Sequence, residues 1–232
     1  MRLLLYGLTA FAGITVVYFG LLRPWHLRWG ATWEERTKLL PGDDFVVRPR
    51  TGSTRAVTID ASPEQVWPWL AQMGQGRGGL YSYDWLENLF GCDVHSSDEV
   101  LPELQQVAVG DTIRLVREGH PADLFFEVAF VHPGRALVLK SPGDPDGVLA
   151  AGMAYTTWAF VLDRLPDRKT RLLSRWRTDF RPTLRGYFWW KFGPSELVSF
   201  VMERKMLKGI RQRAEGSRGR GRSRRSRQRR DA

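Results

Sequence analysis

The chain has 232 residues and a formal net charge of +10, and 43% of its residues are hydrophobic and 12% aromatic. This length and apolar content permit one domain with a sizeable core and exclude a wholly disordered chain. The single cysteine, Cys92, excludes an internal disulfide framework and a multi-cysteine zinc site. The basic excess is local, because residues 216–232 hold eight Arg and one Asp, whereas the first 215 residues hold 27 basic and 24 acidic side chains.

Residues 3–22 are twenty consecutive residues without a charged side chain. A helix of this length covers the roughly 30 Å hydrocarbon core of a bilayer. We therefore expect residues 1–23 to form an N-terminal transmembrane anchor. A cleaved signal peptide is the rival interpretation, but the small residues Ala10 and Ala12 leave too short an apolar stretch before a cleavage site. A buried helix of a soluble domain is the other alternative.

The basic residues that flank this stretch predict its orientation. Arg2 precedes it, whereas Arg23, Arg28, Arg36 and Lys38 follow it. Because Lys and Arg collect on the cytoplasmic side, the pattern predicts a single-pass protein of the cell membrane with its globular part in the cytoplasm.

Residues 24–52 are expected to be a juxtamembrane helix and linker. Trp25, Trp29 and Trp33 are spaced to share one face of a continuing helix, which Pro41 and Gly42 would end. That face suits either a membrane interface or docking on the protein's own core.

The globular part opens with a predicted strand at residues 53–61 and a helix that starts at Ser62 and Pro63. The glycine run of residues 74–79 then matches the spacing G-x-G-x-x-G. A dinucleotide site would require a strand before the run and a helix beginning within it. Since a helix precedes the run, we expect a corner between two helices.

At this corner, Gly74 is expected to end the first helix in a left-handed conformation. Arg77, at the tip, would face a pocket mouth or a lipid headgroup. A second short helix is predicted with Ser82 as its N-cap and Gly91 just beyond its end.

The second half of the chain alternates in the manner of an antiparallel sheet and ends in a long helix. The alternating segments are residues 111–118, 123–133, 135–141, 154–165 and 170–180, followed by a helix at residues 193–216. On the third strand, Leu124, Phe126, Val128 and Phe130 form one apolar row, which is expected to face the C-terminal helix and the core. This element order predicts an α+β fold.

The stretches "RAVTIDASPEQVWPWLAQMG", "VGDTIRL" and "FEVAFVHPGRALVL" resemble the SRPBCC superfamily, which includes START, Bet v 1-like and polyketide-cyclase-like proteins. The resemblance covers residues 53–215 and is closest to an uncharacterised, membrane-anchored branch. It implies a helix-grip fold, in which a curved antiparallel sheet wraps around a long C-terminal helix and leaves an apolar cavity. Members of the superfamily bind or transport lipids, sterols, hormones and polyketides, and a minority catalyse cyclisation or hydrolysis.

The cavity implied by the resemblance gives a set of candidate ligand-binding residues. They are Tyr81, Tyr83, Trp85, Phe126, Val128, Trp158, Phe160, Ser174, Trp176 and Phe200. A solid core made of the same residues is the alternative. The function expected is therefore membrane-anchored binding of a hydrophobic small molecule or lipid, with a cyclase- or hydrolase-like enzyme acting on an apolar ligand as the second hypothesis.

No catalytic constellation is visible in the sequence, because the four His residues are scattered and form no triad or zinc pattern. Cys92, Asp93 and His95 are close enough in sequence to ligate a metal, but a short polar loop is the plainer interpretation. Asp84 and Glu87 are expected on a solvated helix face. We expect no cofactor and no metal, and we favour ligand binding without catalysis.

Two basic segments complete the chain. The Arg-rich tail, residues 216–232, is expected to be disordered and suits anionic lipid better than RNA, although a purely solvated tail or a regulatory docking role on RNA or an acidic protein is also compatible. Residues 185–192 place five aromatic residues between basic ones. They suit a membrane interface, one end of the cavity or the core equally well. The sequence leaves the oligomeric state open.

Overall fold

The computed structural model describes Tyr6, Thr9, Gly13 and residues 15–151, 153–192 and 194–228. The strands are β1 Thr51–Ile59, β2 Thr112–Arg114, β3 Phe125–His132, β4 Ala136–Lys140, β5 Tyr155–Leu165 and β6 Lys169–Asp179. The α-helices are α1 Arg23–Leu27, α2 Trp33–Thr37, α3 Pro63–Ala71, α4 Asp84–Leu89, α5 Pro145–Ala150, α6 Leu184–Tyr187 and α7 Pro194–Gln228. Two π-helical turns, Tyr18–Leu22 and Phe188–Phe192, and two 3-10 turns, Pro102–Leu104 and Pro166–Arg168, complete the order.

The six strands form one antiparallel sheet in the order β1-β6-β5-β4-β3-β2. One face of the sheet packs against α3 and the long helix α7 through a single apolar core. Strand residues such as Phe160 and Leu172 meet helix residues such as Leu207 and Ile210 there, and all four are fully buried. The predicted α+β plan, with a long C-terminal helix against an antiparallel sheet, is confirmed.

The start of α3 follows the sequence pattern. Ser62 and Gln65 form a capping box, in which each residue's side chain satisfies a backbone N–H of the other, and Pro63 occupies the first helical position. These contacts stabilise the first turn because its N–H groups have no partner inside the helix.

The N-terminal segment does not form the continuing helix that the tryptophan spacing predicts. Helix α1 ends at Leu27, and α2 begins at Trp33 behind a capping box of Thr32 and Glu35. Between them Gly30 has φ +74°, and a Cβ at that position would lie 2.1 Å from the carbonyl oxygen of Ala56. The chain turns at Gly30 because only glycine fits so close to β1.

As a result, the three tryptophans do not share a face. Trp25 and Trp33 are exposed on separate helices, and Trp29 packs against the main core.

Residues 30–47, predicted as part of a linker, instead cover the outer face of the sheet. Three arginines of β6 hold them there. Arg171 binds Glu35, Arg175 binds Asp43 and three backbone carbonyls, and Arg177 binds the Val46 carbonyl. Because alternate residues of a strand point to one face, this spacing puts all three guanidinium groups on the outer side.

The row predicted on β3 is broken by a β-bulge between Val128 and Phe130. Phe126 and Val128 are buried as expected, but Phe130 is 40% exposed and Val131 packs against the core instead. A bulge inserts one extra residue and so exchanges the two faces of the strand beyond it. The expectation that Phe130 faces the core is therefore wrong.

The glycine run forms a closed turn. Gly74 and Gly79 exchange two backbone hydrogen bonds of 3.0 Å, so neither needs to end a helix, and α3 already stops at Ala71. Arg77 does not face a pocket mouth or a lipid headgroup. It donates to the carbonyls of Ala71 and Leu104 and so satisfies the helix end.

The second helix starts one residue later than expected. Ser82 donates to the Met202 carbonyl of α7, and Tyr83 takes the N-cap position without a side-chain hydrogen bond. Gly91 follows the helix end with φ +77°, as predicted.

The remaining predictions concern the two ends of the chain, a transmembrane stretch at residues 3–22 and a disordered tail at residues 216–232. Nine of the twenty residues 3–22 lie outside the described residues. The described part of the chain contains no helix with both the length and the apolar character needed to cross a bilayer. At the other end, α7 continues beyond Gly216 to Gln228, where a disordered tail was expected.

The glycine turn provides a matched test of backbone strain. At Gly79, which has φ +82°, a Cβ would lie 2.5 Å from the Ser96 Cα and 2.6 Å from the His95 oxygen, whereas Gly76, with φ +69°, has open space. Gly76→Ala should lower the free energy of unfolding by about 1 kcal/mol through its left-handed backbone. Gly79→Ala should cost roughly 2 kcal/mol more, because backbone atoms have to move. Urea unfolding of both variants measures the difference, and equal losses would contradict it.

Candidate functional site

A cavity of about 1040 Å³ opens at one end of the domain, between the sheet and the first turns of α7. Ser53 of β1, Phe126 of β3 and Trp176 of β6 line it from the sheet, and Glu196 and Ser199 line it from α7. Most of the lining is apolar, with a few polar groups on the inner side. This volume and composition are typical of sites for apolar small molecules.

The inner wall of the cavity holds a buried ion pair. Arg55 of β1 lines the cavity and pairs with Glu203 of α7, and the two side chains are 1% and 3% exposed. The Nε of Arg55 donates to the His26 carbonyl at 2.9 Å, and its guanidinium lies 5.4 Å from the centre of the Phe200 ring. One side chain thus joins the sheet, the C-terminal helix and the N-terminal segment.

The surroundings of Glu203 have two opposing effects on its pKa. Burial raises the pKa of this carboxyl group and outweighs Arg55, Ser174 and Trp176, which favour its charged form. Its Oε1, like the Nε1 of Trp176, has no hydrogen bond of normal geometry among the described residues. The carboxylate therefore depends on Arg55 for its compensation.

Glu196, which precedes Glu203 by seven residues on α7 and lines the cavity, is also neutralised. Arg23 approaches it with Nε and Nη2, both at 2.8 Å, and Thr51 donates to it at 2.6 Å. Both carboxylates beside the cavity are thus paired with arginine. The inner part of the cavity presents little net charge and favours an uncharged ligand body.

The mouth of the cavity is bordered by exposed apolar side chains from three separate segments. Leu124 is 51% exposed, Met153 57% and Trp189 52%, and all three also line the cavity. Arg181 and Arg185 lie at the same border and are exposed. The rim is therefore apolar and basic.

A second hollow, of about 900 Å³, is a surface groove between α4, the following loop and α7. Tyr81, with φ +56°, lies at its base under the guanidinium of Arg213, whose carbon is 4.9 Å from the ring centre. Asp84 accepts hydrogen bonds from the backbone N–H and the hydroxyl of Ser96. The groove is lined by charged and aromatic groups that already bind one another.

Glu87, expected on a solvated face, is 9% exposed. Burial, followed by the charge of Asp84, raises its pKa to about 7. Its Oε2 has no hydrogen-bond partner among the residues described. The helix α4 thus turns Glu87 inward, while Trp85 and Leu89 remain about 70% exposed.

The predicted ligand-binding residues fall into four places. Phe126 and Trp176 line the cavity, and Tyr81, Tyr83 and Trp85 line the groove at α4. The core contains Val128, Trp158, Phe160 and Ser174, with the Trp158 Nε1 donating to the Ser174 hydroxyl at 2.8 Å. Phe200 packs between His26 and Trp25, at ring distances of 5.5 and 5.3 Å. Their role in binding stays a prediction.

Sequence reasoning missed the charged residues at this site. Arg55 lies in a predicted strand and Glu203 in a predicted helix, and each looks like an ordinary surface residue in its own element. In the structure Arg55 is flanked by buried residues on both sides. A charged residue inside such a stretch was the one signal that it would need a charged partner, because charged side chains are almost never fully buried unless they are paired.

The loop that follows α4 gives no metal site in the described part of the chain. Asp93 and His95 contact each other at 3.1 Å on the surface, and no group of three potential ligands is found among the described residues.

The chain matches no protein-family model and no curated protein. It is similar to protein MLL2253 from Mesorhizobium loti (16% identity, 69% of this chain and 95% of that chain, TM-score 0.34). It is also similar to a conserved protein from Geobacillus kaustophilus (17%, 72% and 97%, 0.40) and to a truncated norcoclaurine synthase from Thalictrum flavum (14%, 68% and 91%, 0.40).

The chain has the helix-grip fold. This statement rests on its own strand order and on the long C-terminal helix that packs against the sheet. The antiparallel sheet and the long C-terminal helix that the resemblance implied are thus both present in the structure.

The buried ion pair can be tested by removing one partner. Arg55→Met leaves Glu203 buried without a counter-charge, so the free energy of unfolding should fall by about 3–5 kcal/mol. Arg164→Met is the matched control, because the pair of Arg164 with Glu64 is 59% and 64% exposed and should cost less than about 1 kcal/mol. Urea denaturation of the two variants at pH 8 makes the comparison.

The same variant predicts a pH dependence. Without Arg55 the folded-state pKa of Glu203 lies further above its unfolded value, so the folded state binds a proton more readily. Stability is then greatest below the unfolded pKa and is lost as the pH rises. The deficit of Arg55→Met should shrink between pH 8 and pH 5, and a constant deficit would show that Glu203 does not carry it.

Glu87 predicts a second, separate pH effect. Its folded-state pKa of about 7 exceeds the ordinary value of 4.5, so the wild-type chain should lose stability as the pH rises between these values. Glu87→Gln should remove this slope and gain on the order of 2 kcal/mol at pH 8. The exposed Glu103→Gln serves as the control in thermal unfolding across pH, and an identical slope in both variants would argue against Glu87.

Proposed function

We propose that the protein binds a hydrophobic small molecule or lipid in the cavity between the sheet and α7, and that residues 3–22 anchor it in the cell membrane. The observation that carries the first part is the cavity itself, about 1040 Å³ in volume and mainly apolar. The paired states of Glu196 and Glu203 favour a ligand whose buried part is uncharged. The apolar rim favours a ligand delivered from a lipid-like environment.

The anchor is supported by the twenty uncharged residues at positions 3–22. The excess of Arg and Lys after this stretch favours a domain on the cytoplasmic side. We assign the Arg-rich residues 216–232 to anionic lipid in preference to RNA, because lipid is the nearer polyanion for an anchored protein.

A cyclase- or hydrolase-like activity on an apolar ligand is the second candidate. The ionisable group that would serve it is Glu203, whose pKa is raised and which lies behind the cavity wall. Its carboxylate is enclosed by Arg55 and contributes no atom to the cavity lining. Binding without chemistry is therefore the better-supported function.

Filling the cavity should abolish binding. Ser199 lines the cavity, whereas its neighbour Val198 is 58% exposed on the outer side of α7. Ser199→Trp should reduce the amount of lipid or small molecule that co-purifies with the full chain at least tenfold, since the added ring occupies the ligand's volume. Val198→Trp adds the same ring outside the cavity and should retain the ligand.

Native mass spectrometry and organic extraction of the detergent-purified protein measure this occupancy. An empty wild-type protein whose melting temperature no lipid raises would overturn the proposal.

A further inference from the structure

Exposed apolar side chains from elements that contact one another lie at the cavity end of the domain. We call this set the aromatic end; its members come from α1, α6, the π-helical turn Phe188–Phe192 and the first turns of α7, and they are Trp25, Leu184, Phe188, Trp189, Leu197, Val198 and Val201. Their exposed fractions run from 42% to 92%. A patch of this kind on a folded domain marks a surface that meets an apolar partner.

The aromatic end is joined to the uncharged N-terminal stretch. Arg23, directly after that stretch, binds Glu196 in the first turn of α7. Trp25 contacts the Phe200 ring at 5.3 Å, and Ser195 donates to the Trp189 carbonyl. The point where the chain would leave a bilayer and the aromatic end therefore lie side by side.

The same surface borders the cavity mouth. Trp189 is 52% exposed and also lines the cavity, so one ring belongs to both. Leu124 and Met153 complete the apolar rim from other parts of the chain.

The composition of this surface identifies its partner. Residues 181–192 contain three basic residues and no acidic residue, with five aromatic side chains among them. Aromatic residues beside Arg and Lys are favoured at the headgroup level of a membrane, where the rings enter the interface and the cations meet anionic lipid. A soluble protein partner would not explain why the surface adjoins an uncharged stretch of twenty residues.

We propose that the aromatic end is a second membrane contact, which holds the cavity mouth against the bilayer so that the ligand passes directly between lipid and cavity. This inference rests on the proposed function and names the surface and the route that it uses. Residues 181–192 lie at the level of the headgroups, and the rim residues Leu124 and Met153 face the same bilayer.

Site-specific fluorescence tests the contact without requiring the ligand. In a Cys92→Ser background, single cysteines are placed by Phe188→Cys in the aromatic end, Met153→Cys on the rim, and Trp85→Cys on α4. Phe188 and Trp85 are 66% and 69% exposed, so the two sites are matched in solvent exposure. Each full-length protein is labelled with an environment-sensitive dye and reconstituted in vesicles of phosphatidylcholine and phosphatidylglycerol that contain nitroxide-labelled lipid.

We expect the nitroxide to quench the dyes at positions 188 and 153 at least threefold more than the dye at position 85. Quenching at 188 alone would overturn the route through the mouth, and equal quenching at all three sites would overturn the contact. A protein that does not float with the vesicles would overturn both the contact and the anchor.

A double variant separates the surface from the cavity. Leu184→Ser with Phe188→Ser removes exposed apolar groups that do not line the cavity, and it should reduce the quenching at position 153 at least twofold. Leu89→Ser with Phe90→Ser, a pair at the end of α4 that is 71% and 69% exposed, should leave it unchanged. The ligand occupancy of Ser199→Trp is measured in detergent, and the quenching is measured in vesicles. A negative quenching result would therefore leave the ligand-binding proposal intact, and a negative occupancy result would leave the membrane contact intact.

Discussion

The buried pairing of Arg55 with Glu203 is the contact on which the arrangement of this domain depends. Arg55 is fixed on an edge strand, and Glu203 is fixed in the third turn of the long helix α7. A charge removed from water requires its partner in a defined place, so the pair specifies how the helix lies against β1. The same guanidinium binds the His26 carbonyl and thereby fixes where the N-terminal segment crosses the domain. The cavity occupies the space on one side of this junction, and the apolar core occupies the other.

The sheet separates two chemically different layers. Its inner face is apolar and meets α3 and α7, whereas its outer face carries the arginines of β6 that hold residues 30–47. Burial of the Arg175 and Asp43 pair lowers the pKa of the Arg175 guanidinium, but the attraction of Asp43 opposes this effect. A strand whose inward residues include Leu172 and Trp176 and whose outward residues include three arginines can therefore be covered on both faces. This explains why a segment rich in charged residues forms a layer of the fold.

The sequence correctly predicted those elements that are stabilised by interactions between residues close together in the chain. The capping box at Ser62, the strand alternation of β5 and β6, and the long helix after residue 193 are all contained in short windows, and the structure has them there. The break at Gly30 was missed, because its cause is the approach of a strand some 26 residues further along the chain. The bulge in β3 was missed for a related reason, since one extra residue changes no composition but reverses the faces beyond it. The candidate site depends most on such distant contacts, and so the cavity-lining aromatic residues Phe126 and Trp176 were predicted while the ion pair behind them was not.

The length of helix α7 determines how far the arginine cluster lies from the aromatic end. From Pro194 to Gly216 it rises by roughly 33 Å at 1.5 Å per residue, which is about the thickness of a hydrocarbon core. The aromatic end lies at the first turns of this helix, and the arginine cluster begins roughly 33 Å further along it. One flat membrane can touch both ends only when the helix lies along the membrane surface. When the helix stands upright, its basic end reaches some 33 Å into the surrounding solution, where it can engage an acidic surface that the membrane-bound end cannot reach.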